Sequence, residues 1–129
     1  SAFVSVPTNR IKSDFLRVAE AIVHEAMHLQ LSLIEKVVPL INSNEQKFYS
    51  PWKDEYRNST GILHALYVFR VLDCFFEIIQ STFISQNNCS QHIQNRRTQI
   101  KTQIKEIKIF QNSSDLTPLG RLFVFGLLS

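Results

Sequence analysis

His24-Glu25-Ala26-Met27-His28 sets two imidazoles four residues apart within a stretch of helical periodicity. Residues i and i+4 project from one helix face about a turn apart, so both rings can reach one ion at ~2.0–2.1 Å. An HExxH pattern reads as a metal site when it lies on a helix; the plainer alternative is a pair of partly buried structural histidines. A third ligand must come from elsewhere. Glu35 shares the face of His24 but stands ~10.5 Å along the axis from His28, too far for direct coordination. His64 is the better candidate, the only strongly polar residue between Gly61 and Phe69. A lone core histidine ordinarily just satisfies its hydrogen bonds. Two candidate ligands on another helix favour a metal role for it. His92 lies among polar residues and reads as solvated.

The scaffold that must position these rings is helical. Among 129 residues there are 3 Gly and 4 Pro, too little turn punctuation for a β-sandwich. The apolar share of 44% supports one core, hence a single domain over residues 1–129. Periodicity predicts a first helix from a Ser13-Asp14 cap to Val38, ended by Pro39 and buried on most of its circumference. Residues 41–58 break the pattern and read as one long loop of functional character. A central, almost wholly apolar helix follows from a Ser59 or Thr60 cap, spanning Gly61 to Ser81. Residues 81–90 read as a turn. A third helix, residues 91–111, carries a narrow stripe of Ile93, Ile100, Ile104 and Ile107, and Thr117-Pro118 caps a short closing helix to Leu128. The expectation is an all-α, compact bundle of about four helices.

Beyond HExxH itself, the chain carries Ser50-Pro51-Trp52-Lys53, Arg57, Gly61 and Leu63-His64-Ala65 in that order. In these residues, over about 15–80, it resembles the HExxH-motif domain family of peptide-modification systems. Leu116-Thr117 and Gly120 fit the resemblance loosely. Lys53 and Asn58 stand where that family tends to have Arg and Pro. Family members are described as Fe(II)- and 2-oxoglutarate-dependent peptide β-hydroxylases associated with ribosomally made peptides. The resemblance therefore implies iron, 2-oxoglutarate and a peptide substrate. Under it, His24, His28 and His64 would hold the metal, a three-histidine variation on the two-His-one-carboxylate site. The co-substrate's distal carboxylate needs a cation: Arg57 first, because a guanidinium grips a carboxylate with two hydrogen bonds, then Lys53 and Arg70. Glu25 would orient a ligand or touch substrate, while Trp52 and Tyr56 would fold the loop over the site as a lid.

Two other classes stay open. In a zinc hydrolase Glu25 would be the general base, but no third carboxylate is recognisable on a following helix, and Leu29-Gln30-Leu31 lacks the metzincin continuation. A non-enzymatic binding module would draw on Arg96, Arg97, Lys101, Lys105 and Lys108. Aromatic residues are absent from 91–109, so nucleic acid is not expected as a partner. The net charge of +3 is too small to decide the matter. The apolar uncharged stretch Asn58–Phe69 is short of the ~18–20 residues that span a bilayer, and no membrane partner is expected. Cys74 and Cys89 are too few for a disulfide framework, which points to a reduced, cytoplasmic chain. The three glycosylation sequons read as chance without a secretion signal. The chain opens on Ser, so a piece of a longer protein stays open, as does a homodimer.

Overall fold

The computed structural model describes residues 8–82 and 87–129. Helix α1 runs Thr8–Val37, strands β1 Lys47–Ser50 and β2 Glu55–Asn58 form a hairpin, and α2 spans Ser59–Thr82. Then come α3 (Asn87–Glu106), a 3-10 turn over Lys108–Asn112, and α4 (Pro118–Leu128). Among the described residues the fold is four helices with one small two-stranded sheet, an all-α bundle. No helix of the described residues is long and apolar enough to cross a membrane.

The axis of the bundle is α2, which packs against α1, α3, α4 and the hairpin. Its Ile62, Leu63, Leu66, Leu72 and Phe76 are wholly buried, each such side chain stabilising the fold by about 1.5–3 kcal/mol. From α3 the isoleucine stripe of Ile93, Ile100, Ile104 and Ile107 closes on it, so this narrow face is core as its spacing predicts. Asp73 pins the two helices, accepting from Arg97 Nε at 2.9 Å and Arg70 Nη1 at 3.2 Å.

Several boundaries differ from the sequence expectation. Helix α1 is already under way at Thr8, so Ser13-Asp14 is not its cap; Asp14 pairs instead with exposed Arg17. It is also far from buried all round. Among its described side chains only Leu31 is fully covered, while Phe15, Val18, Ile22, Leu29, Leu33 and Val37 stand 58–83% exposed. The cap of α2 is Asn58, whose Oδ1 accepts the Gly61 N–H at 2.9 Å, which leaves Ser59 free for another task. Part of the expected turn at 81–90 is helix, since α3 starts at Asn87, while residues 83–86 lie outside the described residues. That helix ends at Glu106 and gives way to the 3-10 turn. At α4 the expectation stands: Thr117 Oγ1 accepts the Gly120 N–H, with Pro118 at the first helical position.

Residues 41–58 are not one open loop. β1 and β2 pair with Phe48 opposite Arg57 and Ser50 opposite Glu55, and alternate residues of β1 turn inward, as the half-buried Phe48 and buried Ser50 show. Phe48 meets the Phe110 ring edge-on at 5.3 Å. Strands of four residues are too short for a period-2 pattern to stand out against noise. Asp54, at φ 52°, turns the chain between them.

One carboxylate ties these pieces together. Asp115 is buried and accepts from Ser59 Oγ at 2.6 Å, Ser43 Oγ at 2.7 Å, and the Gln46 and Glu45 N–H groups at 3.0 and 3.3 Å. Burial alone would raise its pKa, but these four hydrogen bonds outweigh it and hold the group below its ordinary 3.8. Beside it, Thr117 N–H donates to the Leu40 carbonyl at 3.1 Å, and Gly120 sits so close that a Cβ would lie 2.0 Å from that oxygen.

Two outcomes follow for stability. Gly120→Ala should cost about 3 kcal/mol by forcing α4 off the Leu40 backbone, whereas Gly126→Ala, which meets open space, should gain about 0.5–1 kcal/mol from helix propensity; chemical denaturation of both variants checks the contrast. Asp115→Asn should cost on the order of 2–4 kcal/mol near neutral pH by leaving donors unpaired. Because the folded-state pKa of Asp115 is depressed, its contribution is complete above the unfolded value and fades as pH falls through the folded one. The gap between wild type and Asp115→Asn should therefore narrow below about pH 4 in acid-denaturation curves.

Candidate functional site

α1 and α2 lie side by side so that the His24/His28 face of one meets the first turns of the other. Three imidazoles come together there. His24 Nε2 is 3.1 Å from His28 Nε2, and His28 Nδ1 is 3.1 Å from His64 Nδ1. At the far end His64 Nε2 is 2.5 Å from Glu35 Oε1. The rings of His28 and His64 are nearly parallel, 16° apart, with centroids at 5.3 Å.

Proton placement follows from elementary rules. A carboxylate only accepts, so with all three rings neutral His64 carries its proton on Nε2 and presents a lone pair at Nδ1. His28 must then donate from Nδ1, which leaves its Nε2 to accept from His24 Nε2–H. With all three rings neutral, the array is one directed chain running His24, His28, His64, Glu35. Burial pushes the His28 pKa down, and the neighbouring rings of His24 and His64 push the same way, while Glu25 opposes them. A neutral central ring is what the chain requires.

The donor chemistry suits a transition metal: imidazoles, one already oriented by a carboxylate as metal-ligating histidines ordinarily are. The arrangement is a line rather than a triangle. His28 turns a different nitrogen to each neighbour, and among the described residues no group of three or more is set to hold an ion as the rings stand. Glu35 is the residue that sequence reasoning set aside. Set apart there by its distance from His28 along the helix, it reaches the third histidine instead, which spacing along α1 alone does not reveal.

The imidazoles open on a cavity of about 400 Å³ walled by the hairpin turn and the start of α2. Trp52, Lys53 and Arg57 line it with His24, His28 and His64. Arg57 is half-buried; its guanidinium lies over Gly61, where a Cβ would come 3.2 Å from Nε and Nη2. The missing side chain at Gly61 thus makes room for the cation. The Trp52 ring stacks on Phe69 with 2° between planes and centroids 5.0 Å apart. Phe69 in turn presents its ring to His24 at 5.7 Å, near perpendicular, and carries the Arg96 guanidinium at 5.6 Å. Phe69 escaped notice because, in an apolar helix, one more Phe reads as core.

Other expected site residues stand elsewhere. Tyr56 is exposed and packs on Tyr49 across the hairpin, away from the cavity, so it is no lid. Strand alternation sends it to the face opposite Arg57. Arg70 is held by Asp73 and lies 3.3 Å from Cys74 Sγ, at a different cavity, because the six-residue step from His64 turns it about 240° around α2. Glu25 is exposed and outside the cavity lining. Of the α3 cations, Arg96 is committed to Glu20 and Arg97 to Asp73 and Glu77.

No family model matches the chain, and no curated protein matches it.

The proton order is directly measurable. Long-range ¹⁵N–¹H spectra should show His24 and His64 as Nε2–H tautomers and His28 as the rarer Nδ1–H tautomer. Glu35→Ala should scramble the His64 assignment first. Three Nε2–H rings in the wild type would refute the chain.

Proposed function

We propose that the chain is a non-haem Fe(II)- and 2-oxoglutarate-dependent hydroxylase acting at a β-carbon of a peptide side chain. The observation that carries this reading is the meeting of His24, His28 and His64 at a cavity that also holds Arg57 and Lys53. The peptide substrate rests on the resemblance of residues 15–80 to the HExxH-motif domain family.

His24, His28 and His64 would hold the iron, and with 2-oxoglutarate bound the pair supplies the oxidising chemistry that a protein side chain lacks. The remaining tasks fall to this chain's own groups. Glu35 holds the His64 ring through its Nε2–H, leaving Nδ1 directed away from the carboxylate. Arg57, backed by Gly61, offers two parallel donors to a carboxylate entering the cavity, and Lys53 adds a second positive charge. Trp52, stacked on Phe69, covers one wall and keeps water from the imidazoles on that side.

A hydrolytic zinc reading asks for Glu25 as a general base inside the cavity, and Glu25 faces solvent outside it. The exposed free thiol of Cys74 suits a reducing, cytoplasmic setting.

Anaerobic addition of Fe(II) and 2-oxoglutarate should produce a weak visible charge-transfer band at about one iron per chain. His64→Ala should abolish the band without loss of helical circular dichroism. Arg57→Ala should leave iron bound while weakening 2-oxoglutarate about 10–100-fold, the loss of one charge-assisted pair. Absence of stoichiometric iron, or tight zinc with amide hydrolysis, would overturn the assignment.

A further inference from the structure

α1 has a long apolar face that no other element of the described residues covers. Phe15, Val18, Ile22, Leu29, Leu33 and Val37 are all exposed. Their steps of 3, 4, 7, 4 and 4 close up once Ala26, also exposed, is placed in the gap. The series then repeats every eleven residues, Phe15 to Ala26 to Val37, close enough to the α-helical period that the stripe stays on one side of a straight helix. It lies roughly opposite Leu31, the residue α1 buries in the bundle. The histidines therefore face inward on the same helix while the stripe faces out.

We infer that this face binds a second copy of the chain, with the two α1 helices antiparallel about a two-fold axis near Ala26. Three observations select that occupant. The first is area: six large side chains expose on the order of 600–700 Å², beyond the largest apolar patch of an ordinary monomer and close to the ~800 Å² per partner of a stable interface. The second is self-complementarity. Counted outward from Ala26, Val18 and Ile22 on one side are matched within a residue by Leu33 and Leu29 on the other, as an isologous interface demands. Ala26 at the centre lets the two backbones approach where they cross. The third is charge. Exposed Asp14 and Lys36 lie on the same flank of the stripe at opposite ends, so the antiparallel arrangement sets each Asp14 beside a Lys36 of the other copy. One feature works against the pairing: Glu25 flanks the axis, bringing two like charges near each other. Replacing it should tighten the dimer.

Sedimentation velocity over about 1–100 µM should show a concentration-dependent dimer with micromolar or tighter Kd. The double variant Ile22→Glu/Leu29→Glu should be monomeric with an unchanged helical spectrum, and Glu25→Gln should lower the Kd. In a background lacking Cys74 and Cys89, Ala26→Cys should form a disulfide-linked dimer on oxidation. Val18→Cys should cross-link to Leu33→Cys in a mixture but not to itself. A wild-type monomer throughout that range, or Val18→Cys linking to itself, overturns the proposal, and so does a monomer that binds lipid vesicles through the same residues.

Discussion

The buried carboxylate of Asp115 is the point on which the geometry of this molecule turns. It accepts hydrogen bonds from the chain just before the hairpin, at Ser43, Glu45 and Gln46, and from Ser59, the first residue of α2. That junction, together with Phe48 on Phe110 and Trp52 on Phe69, holds the hairpin at the mouth of α2 and so keeps Arg57, Lys53 and Trp52 beside His64. A charge so deep is costly unless fully satisfied. Here four donors converge on it, two hydroxyls and two backbone amides, and no cation is needed. The same junction sets α4 against the Leu40 carbonyl, where only glycine fits.

The imidazole array depends on a different physical rule. With all three rings neutral, the histidines and the one carboxylate satisfy one another in a single order of donors and acceptors. Glu35 is the terminus that decides the direction. An apolar helix, α2, supplies the third ring, and its neighbouring Phe69 presses on the first. The groove is therefore polar along one line and aromatic along its wall.

Much of this was legible in the residues. The isoleucine stripe of α3, the central place of α2 and the Thr117-Pro118 start of α4 follow from spacing and capping chemistry. So does the meeting of His64 with the His24/His28 pair, which its isolation in an apolar stretch foreshadowed. What stayed hidden was set by contacts between distant segments. Ser59 looks like a helix cap until Asp115, 56 residues away in sequence, claims its hydroxyl. Tyr56 and Arg57 are neighbours in the chain but opposite in the strand, so one expected lid residue leaves the site while the cation enters it. The apolar face of α1 reads as core by composition; only the structure shows that no other element among the described residues comes to cover it.

The lone tryptophan of the chain, Trp52, forms part of the cavity wall and lies flat against Phe69. Indole emission from this protein thus originates at one spot, with no second fluorophore of its kind to dilute the signal. Phe69 links that spot to the His24 ring. Whatever enters the groove or turns an imidazole changes the surroundings of the single indole, so the molecule carries its own optical gauge of events at the histidines.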